Sequence, residues 1–248
     1  MLISIITVSY NSAATIRDTL ESISKQEYSN IEHIIIDGKS TDSTIAIIKE
    51  FAHVTRYISE ADKGLYDAMN KGLQLATGDI IGILNSDDFY ADNEVLKKVA
   101  AAFDNPHTHC VYGDLQYVNA GNPKKIVRTW KAGKFSLKNF LYGWMPPHPT
   151  FFARRGVYDK VGLFNTTLKT AADYEMMLRI LYKHEYPVVY IPTVLVKMRS
   201  GGVSNASLRN RFKANREDAR AWTLNNKRPH FFTLYLKPLR KIPQYLIK

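Results

Sequence analysis

The sequence predicts an α/β domain built on a doubly wound, mostly parallel sheet, followed by a mixed half and a helical, basic tail. Three observations carry this. Residues 2–8, 31–36, 54–58 and 79–84 are short apolar, largely β-branched runs, as strands buried on both faces must be. Stretches with apolar residues at helical spacing separate them, and strand–helix alternation builds a parallel sheet with right-handed crossovers. Beyond residue 105 the alternation stops.

Taken in order, the run 2–8 leads to Asn11 or Ser12, either of which can cap a helix carrying Ile16, Leu20 and Ile23. Strand 31–36 ends at Asp37, and GKSTDST supplies turn and capping residues before Ile45, Ile47, Ile48 and Phe51. After strand 54–58, a helix over 66–76 is closed by Thr77-Gly78. Strand 79–84 then ends at Asn85-Ser86-Asp87-Asp88. In the second half, 110–118 and 125–130 flank an Asn-Ala-Gly-Asn-Pro turn and predict a hairpin. A short strand at 150–153, an amphipathic helix over 173–183 and a last strand at 187–197 follow. Ser200-Gly201-Gly202 reads as a mobile loop before a polar helix over 205–224. The division expected is a catalytic domain over 1–204, with halves 1–105 and 106–204, and an extension over 205–248.

Charge separates the extension from the body. The chain carries a net +11, of which 205–248 supplies +9 from eleven Lys or Arg and two Asp or Glu. A nearly neutral body with a basic tail points to an anionic partner for the tail alone. Cys110 is the single cysteine, which excludes an intrachain disulfide and a Cys-built zinc site and fits a reducing compartment. The first residues lack the basic n-region and long apolar run of a signal peptide, and no stretch approaches a membrane span. A cytoplasmic protein, reaching the inner face of the membrane through its tail, is the expectation.

Ligands of open α/β sheets bind beyond the carboxyl ends of the strands. There stand Thr7, Ser9, Tyr10 and Asn11; then Asp37; then Glu60, Asp62 and Lys63; then Asn85, Asp87 and Asp88. Carboxylates on three of these four loops would repel at a common rim, unless a divalent cation or several donors relieve them. Asp42 and Asp92 read as helix caps.

The segments SIITVSYN (4–11), IIDGKSTDST (35–44), DKGLYDAMNKGLQLATGDIIGILNSDD (62–88) and TAADYEMMLR (170–179) together resemble the family 2 glycosyltransferases, and most closely the bacterial members that build surface polysaccharides. The resemblance implies the GT-A fold and an inverting, metal-dependent transfer of sugar from a nucleotide-sugar, a UDP-sugar, to a glycan acceptor on a lipid carrier. By it, Thr7, Val8, Tyr10 and Asn11 border the nucleoside and Asp37 accepts from the uracil N–H. Lys63 lies near base or phosphates, and Asn85 and Asp87 belong to the donor set. Asp87 and Asp88 hold Mn²⁺ or Mg²⁺ against the diphosphate, and one of them can bond the ribose instead. Asp173 is the base. Two departures from the family pattern stand out: Met69 replaces an arginine in Ala68-Met69-Asn70-Lys71-Gly72, leaving Lys63 or Lys71 to meet phosphate, and Asn85 opens the Asp-x-Asp signature.

Other roles stay open at several of these residues. Asp173 opens an apolar helix and can also serve as its N-cap, the two roles being compatible, and Glu175 faces away from it along a helix. His148, between prolines in PPHPT, can serve the acceptor, a metal or only a turn. His33 reads as structural, and Trp144 and Tyr142 read as packing before sugar stacking. A sugar-1-phosphate nucleotidyltransferase is the competing enzyme, but TVSYNSAAT lacks its glycine-rich basic loop. A nucleic-acid-binding module would explain the charge without any binding motif, so no nucleic acid is expected. No G-x-G-x-x-G supports a dinucleotide oxidoreductase. Residues 229–248 mix Phe231, Phe232, Tyr235, Leu239, Ile242 and Leu246 with Lys237, Arg240, Lys241 and Lys248, a composition suited to an anionic bilayer surface or to docking on the body.

Overall fold

A computed structural model describes residues 1–201, 208–241 and 243–245. Its first third follows from the four apolar runs. β1 (Ile3–Ser9), β2 (Ile31–Asp37), β3 (Val54–Ser59) and β4 (Ile80–Ile83) pair in parallel in the order β3-β2-β1-β4. α1 (Ile16–Ser24), α2 (Thr44–Lys49) and α3 (Leu65–Leu75) connect them. Alternation along β2 shows why the strands are apolar on both sides. Ile35 packs with Ile16, Leu20 and Ile48 of α1 and α2, whereas Ile34 and Ile36 face Met69 and Leu73 of α3.

The second half turns this sheet into a mixed one. Its elements are β5 (Asp88–Tyr90), α4 (Val95–Ala102), β6 (Cys110–Asn119), β7 (Asn122–Trp130), α5 (Leu137–Leu141), β8 (Phe152–Arg154), α6 (Arg155–Val161), α7 (Ala172–Met177) and β9 (Val188–Arg199). β8 enters antiparallel between β4 and β6, and β9 lies parallel to β6. The order continues β4-β8-β6-β9-β5, and β7 forms the expected hairpin with β6. β5 was not foreseen: three residues of the 85–88 turn region onward pair with Met198, Lys197 and Val196 at the end of β9. α1 also starts later than expected. Thr15 is its N-cap, without a side-chain cap, and Ser12 contributes only its carbonyl to the Ile16 N–H.

The tail lies on the body. α8 (Leu208–Leu224) buries Trp222 completely, and α9 (Thr233–Leu239) buries Thr233, whose Oγ1 donates to the Leu141 carbonyl at 2.5 Å. Gly143, with φ +75°, allows the close approach, because a Cβ there would stand 2.6 Å from the Lys237 nitrogen. Phe232 stacks on Tyr142, and Lys237 pairs with Asp218 at 2.7 Å while lying 3.6 Å from the Tyr174 ring centroid. The boundary expected at 204/205, the Gly202 part of the loop, and Ile242, Leu246 and Lys248 fall outside the described residues. No helix among the described residues is long and apolar enough to cross a membrane.

Candidate functional site

The carboxyl ends of β1, β2 and β4 converge, as the parallel topology requires. At β2, the Asp37 carboxylate is completely buried and accepts four hydrogen bonds, from the Ser9, Ser40 and Ser59 hydroxyls and the Ser40 N–H. Four donors use the whole acceptor capacity of a carboxylate. Asp37 therefore ties the ends of β1, β2 and β3 together and, in this arrangement, has its four acceptor positions filled by the protein. Thr7 and Val8 also turn inward. Both are buried; Thr7 Oγ1 meets His33 Nε2 at 3.0 Å, and Val8 belongs to the core beneath α3. His33 is structural, as expected, and stacks on His53. Burial, then the neighbouring His53, holds the His33 pKa down to about 3.

Two residues of the first loop do reach the surface. Tyr10 is 65% exposed, and its ring borders Gly38. A Cβ on Gly38 would lie 2.6 Å from Asp62 Oδ2 and 3.3 Å from Tyr10, so this glycine leaves the space between them open. Asn11, at φ +48°, spends its side chain on the backbone: its Oδ1 accepts from the Thr41 N–H at 2.9 Å. Lys63 is exposed at the entry to α3. Lys71 pairs with Glu60 at 2.7 Å, and Met69 is buried in the core. Of the two lysines expected to meet phosphate, Lys63 is thus the one on an open loop.

The loop after β4 carries unsatisfied oxygen. Asp88 is fully buried, and both its carboxylate oxygens lack a hydrogen-bond partner; so does the buried Asn85 Oδ1. Burial first, then the charge of Asp87, pushes the Asp88 carboxyl well above the usual carboxylate range. Burial also raises Asp87, against the charges of Arg199 and His148. Arg199 anchors this loop by donating to the Asp87 carbonyl at 2.7 Å and pairing with Asp18 on α1. Three unpartnered oxygens in one turn, beside Asp87, are a hard-donor set of the kind Mg²⁺ or Mn²⁺ takes. No three His, Cys, Asp or Glu side chains among the described residues form a complete cation site.

Opposite lies Asp173, at the start of α7. Its Oδ1 accepts from the Tyr66 hydroxyl at 3.0 Å, and its Oδ2 lies 3.2 Å from His148 Nδ1. Its side chain keeps 19% exposure, and that of His148 29%. Asp173 gives α7 no side-chain cap; the N-cap is Ala171. Burial, then the Asp173 charge, raises the Tyr66 pKa, so its phenol stays a donor. Asp87 also lies within electrostatic reach of His148. Tyr66 was missed in the sequence, where it reads as one more apolar face residue of a helix.

The neighbours of Asp173 are held by α8. Glu217 accepts from the Lys169 and Thr170 N–H groups at 2.9 and 2.7 Å and from the Thr170 hydroxyl at 2.9 Å. Trp222 Nε1 donates to the Tyr174 hydroxyl at 3.0 Å, and Asn225 Nδ2 to Glu175 Oε1 at 3.0 Å. Glu175 also pairs with Arg179 and points away from the cleft into the protein. Trp144 is core, its indole N–H bonded to the Ala132 carbonyl, while Tyr142 is half exposed under Phe232. A cavity of about 460 Å³ lined by Asp79, His109, Arg154 and Tyr186 opens at the amino end of β4, away from these loops.

Comparison with known proteins agrees with this layout. The model of Glycosyl transferase family 2 matches residues 4–162. A PGL/p-HBAD biosynthesis glycosyltransferase of Mycobacterium bovis is 32% identical over 214 residues, 82% of this chain and 79% of that protein. An uncharacterized glycosyltransferase of Haemophilus influenzae is 31% identical over 229 residues, 90% of this chain and 86% of its own. Among solved structures, S. aureus TarS 1–349 in complex with UDP superposes with a TM-score of 0.69 at 20% identity, over 98% of this chain and 72% of that one. A mannosyltransferase of Pyrobaculum calidifontis in complex with GDP-Man and Mn²⁺ gives 0.67 at 18% identity, over the same shares. At these identities the two structures establish a shared GT-A architecture.

Proposed function

The chain belongs to glycosyl transferase family 2, and from that premise we propose that it moves a sugar from a nucleotide-sugar, a UDP-sugar, to a hydroxyl of a lipid-linked glycan, with inversion at the anomeric carbon. The observation that carries this reading is the setting of Asp173. Tyr66 and His148 each engage one carboxylate oxygen, fixing its orientation, while two acceptor positions remain for a substrate proton. An acceptor hydroxyl beside Asp173 gives up its proton to the carboxylate as its oxygen attacks C1 from the face opposite the leaving group. The C1–O bond breaks, and its electrons leave with the nucleoside diphosphate. Tyr10 and Asp62 flank the opening left by Gly38, with the exposed Lys63 next in the chain, and this opening is where the reading puts the nucleotide. Asp87 and Asp88, with Asn85, would hold Mn²⁺ or Mg²⁺, which when bound supplies neutralisation of the leaving diphosphate. The complex of TarS with UDP and that of the mannosyltransferase with Mn²⁺ support the donor class and the metal.

The test is a panel of sugar nucleotides, with nucleotide release measured with and without Mn²⁺ and the product's anomeric configuration read by NMR. Release from one UDP-sugar, lost in chelator and in Asp87→Asn, is the expected outcome. Full turnover in chelator removes the metal. A product that retains the donor's configuration removes the inverting mechanism.

A further inference from the structure

Docking of the tail consumes only part of its apolar surface. Phe232, Thr233 and Trp222 face the body, yet Phe231 is 88% exposed, Tyr235 70% and Leu239 54%. Tyr235 and Leu239 stand one above the other at i and i+4 on α9, as a short stripe, and Phe231 lies exposed in the turn that leads into it. Proline at 238 sits in the last turn of α9 and leaves the stripe in place. Exposed cations flank this segment in the chain: Lys227 and Arg228 precede α9, and Arg240 and Lys241 follow it, Arg240 also donating to the Tyr142 carbonyl at 3.2 Å. From Asn226 to the last residue given there is no Asp or Glu. Lys237, the cation in the middle of α9, is turned inward onto Asp218 and so does not interrupt the stripe.

The geometry points to the outer face of α9 as a docking surface for an anionic bilayer. An apolar, aromatic stripe framed by cations is the pattern by which an amphipathic helix lies in a headgroup layer, rings buried and Lys or Arg among the phosphates. A second copy of the chain is a poorer occupant, since a two-fold contact would set this patch against itself and bring its cations together. α9 rests on residues 141–143, in the stretch of chain that precedes His148. Attachment to the bilayer does not depend on the transfer reading.

The experiment is flotation of the full chain with vesicles of phosphatidylcholine alone and of phosphatidylcholine with one-third phosphatidylglycerol, at about 0.1 M salt, where charges act over about 10 Å. The expected result is flotation with the anionic vesicles only, weakened by higher salt. Phe231→Ser, Tyr235→Ser and Leu239→Ser together should cut binding by about tenfold or more. These side chains are mostly exposed, and of them Phe231 touches Phe232 edge to face; circular dichroism and donor hydrolysis should stay as in the wild type. Failure of the full chain to float overturns the proposal. So does unchanged flotation of the triple variant, which would assign binding to charge alone, or a loss of dimer in light scattering with no vesicle effect, which would assign the stripe to a second copy. Flotation is read without any sugar transfer, so a failed donor panel leaves this result standing.

Discussion

The carboxylate at the end of β2 and the one at the start of α7 sit in opposite surroundings. Asp37 is completely buried and accepts four hydrogen bonds from the three strand ends it joins. Asp173 accepts from Tyr66, lies against His148, and keeps a partly exposed edge at the cleft. The difference extends to their supports. The half over 1–105 holds Asp37 with its own residues, whereas the half over 106–204 relies on α8, more than 40 residues away in sequence, to fix the segment that carries Asp173. A saturated carboxylate builds a site, and an unsaturated one can act in it.

Two substitutions put that contrast to its hardest test. Asp173→Asn keeps size and one acceptor, so donor binding and the melting curve should persist while transfer falls about 10²–10⁴-fold. Calorimetry that finds donor affinity lost as heavily as turnover would make Asp173 a structural residue like Asp37. Asp37→Ala should do the converse. It strands three hydroxyls and a backbone N–H, for a loss of about 3 kcal/mol in denaturant unfolding. Turnover per folded molecule should change far less than in Asp173→Asn, and a variant that folds normally but turns over no sugar would return Asp37 to the chemistry.

The contrast also explains what was legible in the sequence. Runs of β-branched residues locate β1 to β4 because strands covered on both faces leave no room for polar alternation. The same logic identifies the strand ends, and thus the loops where ligands belong. What fails is the role of individual loop residues. Asp37 and Asp87 look alike as letters, but burial and donor count separate them, and those depend on where Ser9, Ser40 and Ser59 come to rest. Tyr66 and Glu217 were illegible because their partners lie 107 and 47 or 48 positions away. The tail's apolar residues announced contact with something, and the fold divides them: one set takes the body, the other faces outward.

Acid should expose a weakness of the half over 1–105. His33 is buried and neutral, with a pKa of about 3, while the unfolded chain takes up a proton near pH 6.5. Stability from this group is complete above pH 6.5 and drains away as pH falls toward 3. Between pH 6.5 and 5 the loss is about 2 kcal/mol. His33→Asn can keep a bond to Thr7 without titrating, so its stability should fall less than wild type over that interval. Equal losses in the two proteins, measured by urea unfolding at each pH, would show that His33 does not set the acid response.

The smallest expected effect probes the dependence of Asp173 on the tail. Glu217 accepts three hydrogen bonds from Lys169 and Thr170, two residues before α7 begins, so it sets the angle at which the chain enters that helix. Glu217→Ala releases these donors to solvent and lets the start of α7 drift, without touching the β4 loop or the opening at Gly38. A bond network of this size, partly exposed, is worth about 1 kcal/mol, so kcat should fall about fivefold. The donor KM should move less than twofold, and Glu217→Gln, which keeps an acceptor oxygen, should recover most of the rate. A general loosening of the fold would instead raise KM along with lowering kcat, and the glutamine would rescue neither. Unchanged kcat in Glu217→Ala would mean that the half over 106–204, like the half over 1–105, holds its own carboxylate.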